Sequence, residues 1–196
     1  MREERIVRGD GQIGLIPLGK IPDKGLIDFL AVRLSEAFGR EVEVSARFPS
    51  PQYAFDERRG QYHSTMILAR LRAAFEGVYE KTLGTADVDL FAPVMNFVFG
   101  EADLLHGVAV ISLFRLRPEN YGLPENAHLL QERALKEAIH ELGHTFGLMH
   151  CNHYRCVMHF SNSLPDTDRK SYRFCRPCRS SLTAALADHS RRREKR

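Results

Sequence analysis

The spacing of apolar positions changes several times along the chain, and each change marks an element. Residues 13–19, IGLIPLG, form a short apolar run bounded by glycines and read as a first strand. Asp23 follows as a helix N-cap, Leu26, Ile27, Leu30, Leu34 and Phe38 share one face, and Gly39 stops that helix. Residues 41–48, EVEVSARF, alternate as a half-buried strand does. A second helix is predicted over residues 61–80, with Ile67, Leu68, Leu71, Ala74, Phe75 and Val78 inward. Three short strands follow, at 86–91, 96–102 and 107–114. Gly122 and Pro124 break the chain before a long helix over 126–145, which carries Leu129, Leu130, Ala134, Leu135, Ala138, Ile139 and Leu142 and ends at Gly147. Beyond it the chain reads as irregular until a C-terminal helix over 178–193. The order suggests an α+β (mixed α/β) chain, with helices packed against a mixed sheet.

Gly9–Gly14, GDGQIG, matches the G-x-G-x-x-G pattern of dinucleotide sites. That fingerprint requires a strand before the glycines and a helix after them. Here a strand containing Pro17 follows, so the segment is expected to be a turn.

Composition narrows the class. The 196 residues are 43% hydrophobic and 27% charged, ordinary for one globular core. No apolar run is long enough to span a membrane. The opening MREERIVRGDGQ is charged and lacks the apolar centre of a secretion signal, so the cytoplasm is the expected compartment. Much of the net charge of +3 sits in the closing RRREKR, which reads as a solvated terminus; no nucleic-acid signature accompanies it. The chain is expected to act as a monomer.

Residues 140–158, HELGHTFGLMHCNHYRCVM, concentrate metal-binding side chains. His140 and His144 are four apart on a predicted helix, so they lie one turn apart on one face. Gly147 breaks the helix, which lets His150 swing back as a third ligand. The full pattern, H-E-x-x-H-x-x-G-x-x-H, would arise by chance on the order of once in 10⁵ chains of this length. Three histidines leave a fourth zinc position for water, the mark of a catalytic site. Zinc lowers the pKa of its bound water to about 7. Glu141 stands beside His140, placed to take that water's proton and pass it to a leaving amine.

Cys151, Cys156, Cys175 and Cys178 are all the cysteines of the chain. Two close pairs separated by 18 residues suit a tetrahedral structural zinc site. Disulfides or free thiols, and redox chemistry at C-R-P-C, are the alternatives; the latter belongs at a strand–helix junction that is absent from this pattern. His150 and Cys151 are neighbours assigned to different metals, so loss of the second zinc should loosen the first.

These residues resemble the metzincin clan of zinc metallopeptidases, and Met158, eight residues after His150, would then form the methionine turn beneath the histidines. More narrowly, HELGHTFGLMHC followed by C-x₄-C, C-V-M and a later C-x-x-C is similar to the archaemetzincin family, as are NFVFGEAD and FSNSLPDTDRKSYRFCRPC. The specific motifs cover residues 96–178, and every expected ligand position is filled. The resemblance implies a metzincin-like fold: a twisted, mixed five-stranded sheet with two long helices above a cleft (residues 1–147), and a small zinc-bound lower subdomain with a terminal helix (148–196). It also implies that NFVFGEA is an antiparallel edge strand above the cleft, able to bind an extended peptide.

Among the remaining candidates, His153 and His159 flank the cluster, Tyr154 and Tyr172 could supply a hydroxyl to the transition state, and residues 161–163, SNS, read as turn chemistry near the pocket. His63, His106, His128 and His189 read as surface or core residues. The expected function is zinc-dependent peptide-bond hydrolysis, with a peptide or protein substrate, two zinc ions per chain and Glu141 as base. The rivals are a zinc-stabilised peptide-binding module that does not cleave, and hydrolysis of a non-peptide amide.

Overall fold

A five-stranded sheet separates two helical layers. The computed structural model describes residues 9–21, 23–46 and 48–194. The charged opening through Arg8 and the last two residues of the basic tail lie outside it. The elements are β1 (Gly9–Leu18), α1 (Lys24–Phe38), β2 (Glu41–Val44), β3 (Phe55–Asp56), β4 (Gln61–His63), α2 (Ser64–Phe75), β5 (Tyr79–Ala86), β6 (Leu90–Phe91), β7 (Gly100–Asp103), β8 (Val108–Ser112), α3 (Ala127–Thr145), α4 (Leu164–Arg169) and α5 (Arg176–Glu194). The main sheet runs β2-β1-β5-β8-β7. Its first four strands are parallel, and β7 closes the edge antiparallel to β8. A small second sheet joins β3, β4 and β6. No helix among the described residues is long and apolar enough to cross a membrane.

The two-residue alternation of the strands sorts the core. Ile13 and Leu15 of β1, Leu83 of β5, and Ala109 and Ile111 of β8 face α1 and α3. Ile16, Leu18, Val108 and Val110 face α2, through Ile67, Leu68 and Leu71. The chain beyond α3 joins the first of these cores through Val157, Met158, Phe174 and Leu182. The mixed five-stranded sheet with its long helices is the expected fold.

Local chemistry explains the helix limits. The Asp23 side chain accepts the Leu26 amide at 3.2 Å, and Gly39 ends α1 in the left-handed conformation. Asn126 caps α3 in the same way, accepting from Leu129 at 3.0 Å.

Several expectations need correction. The second helix is shorter than predicted: it spans Ser64–Phe75, Ala74 is exposed, and Gly77 at φ +77° turns the chain into β5. The first of the three predicted strands divides between the end of β5 and β6, and the second starts its pairing only at Gly100, after a bridge from Val98 to Leu90. GDGQIG is not a turn. It lies within β1, with a bulge between Gly9 and Ile13, and a Cβ on Gly14 would collide with the Tyr79 ring. The stretch before the last helix is not wholly irregular, because α4 forms there with Ser163 and Asp166 as a capping box.

Candidate functional site

His140 and His144 leave the same face of α3 one turn apart, with their Nε2 atoms 3.1 Å from each other. The helix stops at Thr145, and Gly147 takes φ +84° while its amide donates to the His144 carbonyl at 2.8 Å. That bend returns His150, whose ring lies 5.3 Å from His140 and 4.8 Å from His144, centroid to centroid. One nitrogen from each ring falls within 4.8 Å of the other two.

The opposite ring nitrogens are committed. His140 Nδ1 sits 2.8 Å from the Val157 carbonyl and His144 Nδ1 2.7 Å from the Leu148 carbonyl. A carbonyl only accepts, so each Nδ1 carries the proton and each Nε2 keeps its lone pair. Burial, with the Lys170 charge next, holds His140 well below the ordinary imidazole range. Burial also lowers His144 and His150. Neutral imidazole is the form that binds a metal. Zinc–nitrogen bonds of about 2.0–2.1 Å in a tetrahedron set ligands about 3.3 Å apart, so the histidine spacing fits zinc.

Glu141 is buried and lines the same cleft of about 540 Å³ as the three histidines. Burial and Glu137 raise its carboxyl well above the usual range, Lys170 opposes them, and Glu101 adds to the rise. Gly100 of β7 makes room for it. A Cβ there would lie 2.6 Å from Glu141 Cγ, 2.8 Å from its Oε1 and 2.8 Å from the Val110 carbonyl oxygen. Beneath the histidines, Met158 is fully buried against α3 at Gly143, where a Cβ would come 2.5 Å from the Met158 sulfur.

The four cysteine sulfurs also lie within 4.8 Å of one another, with no disulfide among them. Cys151 and Cys175 Sγ are 3.7 Å apart, the edge expected of a tetrahedron with bonds of about 2.3 Å. Backbone amides point at the sulfurs: His153 donates to Cys151 at 3.4 Å and Cys175 to Cys156 at 3.3 Å. Burial drives the Cys156 and Cys178 thiols upward, so the thiolate form of this cluster calls for a cation. The donor set fits zinc.

The flanking candidates stand apart from the histidine trio. His159 Nδ1 donates to the Cys151 carbonyl at 2.9 Å, and His153 stacks on Tyr154. Tyr172 is held between Arg33 and Arg173, and no tyrosine lines the cleft among the described residues. Ser161 and Asn162 do line it, whereas Ser163 caps α4. Sequence reading missed a buried group behind the site. Lys170 Nζ is 3.0 Å from Glu137 Oε1, which also accepts from the Thr167 hydroxyl at 3.0 Å. The visible signal was Glu137 itself, an acidic residue three and four positions before His140 and Glu141 and therefore on their face of the helix.

The profile of peptidase family M54 matches residues 44–184. The archaemetzincin of Methanocaldococcus jannaschii is 47% identical over 171 residues, covering 87% of this chain and 92% of that one. The crystal structure of archaemetzincin from Methanopyrus kandleri is similar at TM-score 0.80 and 41% identity, over 91% of this chain and 97% of the other. A structure of a zinc-dependent peptidase from Methanocorpusculum labreanum gives TM-score 0.80 and 31% identity, over 87% and 99%. With its M54 profile spanning most of the length and relatives this similar along nearly the whole fold, the chain belongs to peptidase family M54, the archaemetzincin family of zinc metallopeptidases.

Proposed function

We propose that His140, His144 and His150 hold the catalytic zinc ion, that Glu141 is the catalytic base, and that Cys151, Cys156, Cys175 and Cys178 hold a second, structural zinc ion. The observation that carries this reading is the convergence of three imidazoles, two with Nδ1 bonded to carbonyls, in the cleft that Glu141 also lines. Bound zinc supplies Lewis-acid polarisation of the scissile carbonyl and acidification of the attacking water. Glu141 accepts the proton of that water and returns it to the departing amine. Its burial keeps bulk solvent away from the carboxyl. Gly100 sets the position of the carboxylate. Its own strand β7 is an edge of the main sheet, so an extended peptide can pair with it as an added strand. We read residues 1–147 as the upper wall of this cleft and 148–196 as the lower.

Zinc-loaded protein should hydrolyse members of a peptide panel that includes free and blocked amino termini, monitored by mass spectrometry. Binding without cleavage across that panel would replace the peptidase reading with the peptide-binding module. Gly100→Ala is expected to lower kcat by at least tenfold with zinc content unchanged. Val110 is backbone and cannot yield, so Glu141 must move instead. A kcat within twofold of wild type would remove Gly100 from the account.

A further inference from the structure

The turn at the mouth of the cleft holds a strained residue. The Met95 amide donates to the Ala92 carbonyl at 3.1 Å, which closes a four-residue turn with Pro93 second and Val94 third. Val94 has φ +62°, the one positive φ among the described non-glycine residues. The third position of such a turn favours glycine or asparagine. A β-branched side chain is the poorest occupant of left-handed backbone.

The fold gains no packing from this side chain. Val94 is 105% exposed, yet it forms part of the cleft wall. A single exposed apolar residue is unremarkable on its own. What sets Val94 apart is that its conformation is unfavourable and is enforced from behind. The Arg59 guanidinium donates to the Met95 and Asn96 carbonyls at 3.0 and 2.9 Å, and the Gln61 amide to Asn96 at 3.1 Å. Gln61 and Arg115 both bond Asp89, and the two arginines lie over Phe91 and Phe97 at 4.2 Å. This clamp fixes the turn while leaving Val94 free to meet a ligand. Met149 and Phe160 line the same cleft and are also exposed, so Val94 is one of several exposed apolar side chains there. Strain that surrounding structure maintains at a cleft points to function.

We propose that Val94 is a substrate-gripping residue, held in left-handed backbone by the Arg59–Gln61 clamp so that its side chain buries against an apolar side chain of the bound peptide. This rests on the peptidase reading of the same cleft.

The test uses zinc-loaded Val94→Asn, Val94→Gly and Val94→Ile. Melting temperature is measured together with kcat and KM for paired peptides carrying leucine or serine at each position flanking the scissile bond. The Kd of the leucine peptides is also measured in the Glu141→Gln background. Val94→Asn relieves strain without loosening the unfolded chain and should raise Tm by about 2–4 °C. Its KM for leucine peptides should rise about 3- to 10-fold, with kcat within twofold and the preference for leucine over serine reduced. Val94→Gly should show the same KM change, and Val94→Ile should match wild type in both readouts. Active protein with unchanged KM and leucine preference in Val94→Asn and Val94→Gly would overturn the proposal, as would a lower Tm in Val94→Asn. If wild type binds peptides without cutting them, the peptidase reading fails, and the Kd series alone decides for or against Val94. If no peptide binds, both fall.

Discussion

Glu141→Gln is expected to lower kcat by about 10²- to 10⁴-fold while both zinc ions stay bound. Glutamine has nearly the same volume, so neither the cavity beside Gly100 nor the packing of α3 changes. What disappears is the ability to take a proton. Stability should hold or improve, because the carboxyl lies near Glu137 and Glu101 in a buried place and its charge is opposed there. The check is kcat on a cleaved peptide alongside zinc content by elemental mass spectrometry and Tm. Activity within tenfold of wild type, at full metal content, would remove Glu141 from the role of base.

The second large effect is structural. Cys175→Ser with Cys178→Ser is expected to reduce bound zinc from two ions to one and to lower Tm by more than about 10 °C, since metal binding supplies folding free energy to segments with little core of their own. The damage should reach the histidine site. Val157 accepts from His140 through its carbonyl, and its own amide donates to the Arg173 carbonyl at 3.0 Å, two residues before Cys175. The Cys151 amide donates to the Met158 carbonyl at 2.8 Å, and Cys151 follows His150 directly. The cysteine-bearing segment thus supplies the carbonyl that orients one imidazole and the backbone that carries another. Affinity for the remaining zinc should fall about 10- to 100-fold, the usual effect of losing groups that orient ligands. Full zinc affinity in this variant would show the two centres to be independent.

The sequence made some parts of this protein plain and hid others, for physical reasons. Helices α1 and α3 were legible because their caps are local chemistry: Asp23 and Asn126 at the starts, Gly39 and Gly147 past the ends. The histidines and the cysteines stood out because short spacings set His140, His144 and His150, and each cysteine pair, close along the chain; the fold then gathers each group within 4.8 Å. Strand β5 was not. It lies at the centre of the sheet, buried on both faces, yet it reads YEKTLGTA rather than a run of valine and isoleucine. Gly84 is there because Leu71 of α2 packs on it, leaving 2.6 Å to a Cβ. Lys81 is tolerated because its ammonium rests 5.1 Å from the Phe146 ring centre. Both reasons are contacts with distant residues. Meanwhile Val78 continued the helical spacing of α2 past its true end at Phe75. The same distance problem hid Lys170, whose partner Glu137 lies 33 positions earlier, and Val94, whose backbone angle no side-chain pattern announces.

The central claim is that three imidazoles bind one zinc ion and leave a vertex for solvent. Zinc K-edge absorption on the Cys175→Ser, Cys178→Ser protein, loaded with one equivalent of zinc, reads that ion with only Cys151 and Cys156 left as sulfur donors. The account requires a low-coordinate shell of nitrogen and oxygen at about 2.0–2.1 Å with the multiple scattering of three imidazoles. Sulfur at about 2.3 Å, or fewer than three imidazoles around the ion, would contradict it.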